Sequence, residues 1–68
     1  MKIEELIAGK NDGQDVQIAG VSLPIAALKR FMNDGYTHLK PYQTEKTFSF
    51  WGKACTGCFS EAEIVNRA

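Results

Sequence analysis

The segment from Pro24 to Gly35 constrains this chain more than any other, because it is the clearest helix and offers the best centre for a core. Proline's fixed φ suits a first helical turn, and its ring drives the preceding Leu23 toward extended backbone. Leu23 or Ser22 is therefore the expected cap. Ile25, Leu28, Phe31 and Met32 recur at helical spacing and form an apolar stripe, while Lys29, Arg30 and Asn33 fall on the other side. Gly35, following Asn33 and Asp34, ends the helix.

The segments YTHLK and KTFSFWG are extended candidates, separated by the loop residues Pro41, Tyr42, Gln43, Thr44 and Glu45. Side chains alternate along a strand, so Phe48 and Phe50 share one face while Thr47, Ser49 and Trp51 share the other. With Leu39 pointing inward beside the two phenylalanines, alternation sends Tyr36, His38 and Lys40 outward, to the side of Trp51. Upstream, Val16 and Ile18 alternate with Gln17, and Val21 and Leu23 flank Ser22. This predicts a small hairpin turning at Ala19-Gly20, with one irregular strand as the alternative.

Ile3, Leu6 and Ile7 predict a short first helix stopped by Gly9, followed by a turn at Lys10-Asn11-Asp12-Gly13. At the other end, Ser60 and Glu63 have the spacing of a capping box, and Phe59 is placed to staple Ile64. Only eight residues follow Ser60, so this last helix must dock to persist. The order α, ββ, α, ββ, α argues for an α+β fold: a small antiparallel sheet of one or two hairpins with two to three short helices packed on it. Residues 1–68 are expected to form a single small domain.

A domain of 68 residues lies near the limit of self-sufficiency, since one of about 60 residues buries only roughly 60% of its unfolded surface. Homodimerisation is a live expectation on that ground. Apolar content of 44% excludes a disordered tail. Eight basic and eight acidic residues give no net charge, hence no global field drawing the chain to nucleic acid or an anionic membrane. No apolar run has the length of a membrane span, and MKIEELIAGK lacks the apolar segment of a secretory signal. A cytoplasmic protein with no membrane contact is the expectation.

The only cysteines, Cys55 and Cys58, lie in FWGKACTGCFSE. As a zinc site the pair supplies two of four ligands, and the one histidine, His38, leaves the set to be completed by a carboxylate or a neighbouring chain. As a redox pair it has Cys58 two residues before the expected Ser60 cap, where a helix N-terminus favours thiolate. The chain is too short for a complete thioredoxin-like fold, however, and Trp51 lies four residues before Cys55. The third reading takes both cysteines as small residues in a turn permitted by Gly57 and leading into a capped helix. That reading is preferred, so no cofactor is expected and zinc at Cys55 and Cys58 is the minor alternative.

No Ser/His/Asp set, glycine-rich phosphate loop or paired-acid pattern appears, so enzymatic chemistry is not expected. Glu4, Glu5, Glu61 and Glu63 are accounted for as solvated helix faces and a cap. Function then falls on the face expected to hold Trp51, Tyr36, His38 and Lys40, since Trp and Tyr dominate binding hot spots. The competing structural account packs Trp51 and Tyr36 beneath a terminal helix. The expectation is a small non-enzymatic protein-binding module, a regulator, adaptor or inhibitor of a larger protein or complex; its size suits a bacterial or phage origin. The alternative is a nucleic-acid-binding module that stacks bases on the same face with Lys40, Lys46 and Lys53 near phosphates.

Overall fold

The computed structural model describes residues 1–42 and 46–68, so the expected loop at 41–45 lies partly outside the described residues. The elements are α1 (Ile3–Ile7), β1 (Asp15–Ile18), β2 (Val21–Pro24), α2 (Ile25–Asn33), β3 (Tyr36–Pro41), β4 (Thr47–Gly52), β5 (Thr56–Ser60) and α3 (Glu61–Val65). They make an α+β fold with a two-stranded antiparallel sheet, β1-β2, and a three-stranded antiparallel sheet ordered β3-β4-β5. None of the described helices is long and apolar enough to cross a membrane.

The first hairpin forms where predicted. Ala19 and Gly20 both take positive φ, 53° and 78°, the conformation of the tight two-residue turn whose twist matches that of paired strands. The resulting register sets Ile18 opposite Val21 and Val16 opposite Leu23. Ile18, Val21 and Leu23 are thereby buried, with Gln17 and Ser22 left exposed.

β2 runs without a loop into α2. Pro24 has φ −66° and ψ 136°, so it closes the strand and serves as N-cap with no side-chain cap bond. The expected cap at Leu23 or Ser22 is corrected to Pro24, because proline's φ is common to extended and helical backbone and only ψ must change. The Ile25 N–H, at the helix start, donates to the Gln14 carbonyl at 2.9 Å.

α2 buries Ile25, Ala27, Leu28 and Phe31. Met32, expected in the stripe, is 39% exposed, and Ala27 is buried instead. Met32 stands in the last turn of the helix, past the rim of the core, beside Lys2, Glu4, Thr37 and His38. Gly35 then turns the chain at φ 109°, its N–H donating to the Met32 carbonyl.

The core joins both sheets and all three helices in one cluster: Ile3, Ile18, Val21, Leu23, Ile25, Ala27, Leu28, Phe31, Leu39, Phe48, Phe50 and Ile64. At its centre the Phe31 ring stacks on Phe50 with centroids 4.1 Å apart and meets Phe59 edge-on at 4.9 Å. Burying a side chain of this size contributes about 2 to 3 kcal/mol. Arg67 lies over the Phe31 ring at 4.3 Å and bonds the Asp34 carboxylate at 2.7 Å, tying the chain after α3 to the end of α2.

β5 was not anticipated. The residues read as a cysteine turn are an extended strand, with Cys58 opposite Ser49, Gly57 opposite Phe50 and Thr56 opposite Trp51. The turn falls earlier, at Lys53-Ala54, and is closed by the Gly52 N–H on the Cys55 carbonyl at 2.9 Å. Gly57 serves clearance here: a side chain there would start 2.9 Å from the Phe59 ring and 3.4 Å from the Tyr36 hydroxyl. The predicted capping box is present at the strand's end. Ser60 Oγ accepts from the Glu63 N–H at 3.3 Å, and the Ser60 N–H donates to Glu63 Oε1 at 3.1 Å.

Candidate functional site

The three-stranded sheet has one face on the core, carrying Leu39, Phe48, Phe50 and Phe59. Alternation sends His38 and Lys40 of β3, Ser49 and Trp51 of β4, and Thr56 and Cys58 of β5 to the opposite face. Three of the four residues assigned to a contact surface from the sequence, Trp51, His38 and Lys40, meet there. His38 and Trp51 are cross-strand partners, and their rings stack with centroids 5.4 Å apart and planes 11° from parallel. Both rings are half-buried, while Lys40 is exposed.

Tyr36 is the exception and is corrected. The register shifts between Tyr36 and His38, so a β-bulge adds one residue to β3 and reverses the alternation before it. Tyr36 therefore lies opposite Gly52 on the core side, with its ring edge-on to Phe31 at 5.6 Å, to Phe59 at 5.8 Å and to Phe50 at 6.0 Å. Tyr36 is thus half-buried against rings of α2, β4 and β5, and not beneath a terminal helix. Trp51 stacks on His38 on the opposite face.

The bulge also orders the site. Thr37 Oγ1 lies 2.7 Å from His38 Nδ1 and donates to the Trp51 carbonyl at 3.4 Å. The imidazole is thus engaged twice, by the Thr37 hydroxyl at Nδ1 and by the indole stacked against its ring. This fixes an aromatic plate whose rotamer entropy is already spent.

Tyr42 extends the face. Its hydroxyl lies 3.3 Å from Cys58 Sγ, two strands away from β3. The hydrogen bond to Cys58 and the charge of that thiol when ionised hold the Tyr42 phenol above its ordinary pKa, with slight desolvation adding to this and Ser49 pulling the other way. The residue pattern puts Tyr42 in the loop that Pro41 opens, away from the strand face. Pro41 in fact closes β3, and the alternation of His38, Lys40 and Tyr42 continues through it.

The cysteines do not form a pair in space. Cys55 Sγ lies 3.5 Å from where a side chain on Gly35 would begin, whereas Cys58 Sγ faces Tyr42. Residues three apart in extended chain point to opposite faces with Cα atoms about 10 Å apart, beyond disulfide reach. Among the described residues no three His, Cys, Asp or Glu side chains converge as a metal site. What the face offers is a stacked aromatic pair, several hydroxyls and a thiol, and one cation, Lys40, with no carboxylate among its strand residues.

Comparison with known protein families, with curated proteins and with solved structures finds no match.

Proposed function

We propose that this chain is a non-enzymatic, cytoplasmic protein-binding module, a regulator, adaptor or inhibitor of a larger protein or complex, and that its contact surface is the outer face of the three-stranded sheet. The observation that carries the reading is the Trp51–His38 stack, standing on the face away from the core with both residues half-buried. A large aromatic pair held by a neighbouring hydroxyl brings contact area with little ordering cost, the combination that concentrates energy in binding hot spots. Lys40 sets the sign of the complementary surface, favouring an acidic partner. Two free thiols are in keeping with a reducing compartment.

The nucleic-acid reading loses one of its stacking platforms with Tyr36 turned to the core, and the chain's zero net charge provides no compensating attraction.

The test compares proteins captured from the native host by the tagged wild type, by Trp51→Ala and by Glu5→Ala, a substitution on α1. The expected result is a stoichiometric partner retained by Glu5→Ala and lost with Trp51→Ala. Because Trp51 is the only tryptophan, titrating the purified partner must also shift its emission. A partner held equally by Trp51→Ala, or an unchanged emission at saturation, refutes the assignment of this face.

A further inference from the structure

We propose that the free border of β5 pairs antiparallel with the same border of a second copy, in a register centred on Gly57, making one continuous six-stranded sheet. The inference rests on hydrogen-bond accounting and does not depend on the contact surface proposed above.

Two bonds fix which groups of β5 face β4. The Gly52 N–H donates to the Cys55 carbonyl at the turn, and the Glu61 N–H donates to the Lys46 carbonyl at the far end. Backbone groups alternate sides along an antiparallel strand, so Gly57 and Phe59 exchange bonds with Phe50 and Phe48. The N–H and C=O of Thr56 and Cys58 therefore point away from β4. Both residues are exposed, and no strand among the described residues lies beside them. Ser60 also points outward, but its N–H already donates to Glu63.

The opposite border of the sheet is treated differently. On β3, Leu39 exchanges both of its backbone bonds with Met1, at 2.8 and 2.9 Å, and Pro41 has no N–H to offer. β5 has none of these protections: its sequence TGCFS contains no charge and no proline.

A second copy satisfies this border better than an arbitrary strand because the border complements itself. With a two-fold axis at Gly57, Thr56 of each copy faces Cys58 of the other as a hydrogen-bonded pair. Four bonds form, and they use all four free groups on each side of that axis without calling on Ser60. Gly57 faces its own copy at the position where strands approach most closely, with no side chain in the way. Moving the axis to Cys58 would require Ser60 to pair with Thr56, in competition with the capping box.

An interface of one short strand predicts a weak dimer, with a dissociation constant of roughly 10 to 500 μM. Sedimentation equilibrium up to about 1 mM protein tests it, with Cys58→Pro as the interface variant. Proline is tolerated on an edge strand where its N–H would face outward, and here it deletes two intermolecular bonds. The expected effect is a weakening on the order of thirtyfold. A wild type that stays monomeric across the range, or a folded Cys58→Pro protein that dimerises as well as wild type, overturns the proposal.

A crosslink reads the register directly and decides the matter if Cys58→Pro does not fold. In a Cys55→Ser background, Thr56→Cys places a thiol opposite Cys58 of the second copy, with Cα atoms about 5.5 Å apart, inside disulfide range. Copper–phenanthroline in air, with dioxygen taking up through the copper the two electrons and two protons released by each pair of thiols, should convert this protein to covalent dimer. The Cys55→Ser parent should stay uncrosslinked, since its Cys58 residues are about 8 to 9 Å apart on the diagonal. Failure of the Thr56→Cys protein to crosslink, or equal crosslinking of the parent, refutes the register.

Discussion

Gly52→Ala is the sharpest test of how the end of β4 meets the start of β3. A methyl at this position would sit 2.0 Å from the Gly35 carbonyl oxygen and 3.1 Å from its carbon. Side-chain carbons do not approach such atoms closer than 3.0 Å, so the Gly35 peptide must retreat by about 1 Å. That peptide has little freedom. Gly35 holds φ 109° to turn the chain from α2 into β3, and its N–H is engaged by the Met32 carbonyl. A clash against constrained backbone costs more than one against a flexible side chain, and about 2 to 4 kcal/mol is expected. For a domain of this length, whose total stability is roughly 3 to 10 kcal/mol, the melting temperature should fall by roughly 10 to 25 °C. Urea unfolding followed by Trp51 fluorescence and by circular dichroism measures the loss, with Gly13→Ala as control. A methyl at Gly13 meets nothing within 4 Å, so that substitution should change stability by less than about 1 kcal/mol. If Gly52→Ala costs less than about 1 kcal/mol at an unchanged denaturant slope, the close approach of Gly35 to Gly52 is wrong, and with it the Tyr36–Gly52 register.

Ser60→Ala removes one half of the capping box at α3; a loss of about 1 kcal/mol is expected, with amide exchange accelerated in residues 61–65 before the rest of the chain. The Tyr42 phenol should ionise above its ordinary value of 10.0, and Cys58→Ser should bring the midpoint down, as read by phenolate absorbance in a Tyr36→Phe background. The sign for stability follows from a folded pKa above the unfolded one: the small contribution of this contact is complete below pH 10.0 and is lost as pH rises through the folded value.

What was legible in the sequence was whatever depended on a regular period. The 3.6-residue spacing placed α2, and the two-residue alternation put Phe48 and Phe50 on one side and Trp51 on the other. The turn at Ala19-Gly20 was located by the alternation of the segments on either side of it; Ala19 at φ 53° holds a conformation that non-glycine residues seldom adopt, so the pair itself announces no turn. The misreadings lie where a period is interrupted. Nothing in YTHLK announces an extra residue at Thr37, so a single bulge moved Tyr36 from the outer face into the core. Gly57 resembled a turn residue, yet its work is to leave room for the Phe59 ring, a demand made by residues distant in sequence as well as near. Met32 kept the helical spacing and still missed the core, since periodicity says which way a side chain points and not whether anything stands opposite. Of the candidate face, His38, Lys40 and Trp51 followed from alternation alone. Tyr42 and Cys58 required knowing that β3 extends through Pro41 and that a fifth strand follows β4.

The sealing of β3 by Met1 and Pro41 also governs how far self-association can run. A sheet open on both sides can recruit copies without limit, and that is the route to fibres. Among the described residues the three-stranded sheet has one open border, so a first arrival consumes it and leaves the covered β3 borders outermost on either side. Assembly through β5 is therefore finite by construction, and loss of the Met1–Leu39 bonds would be the change that turns a closed pair into a growing chain.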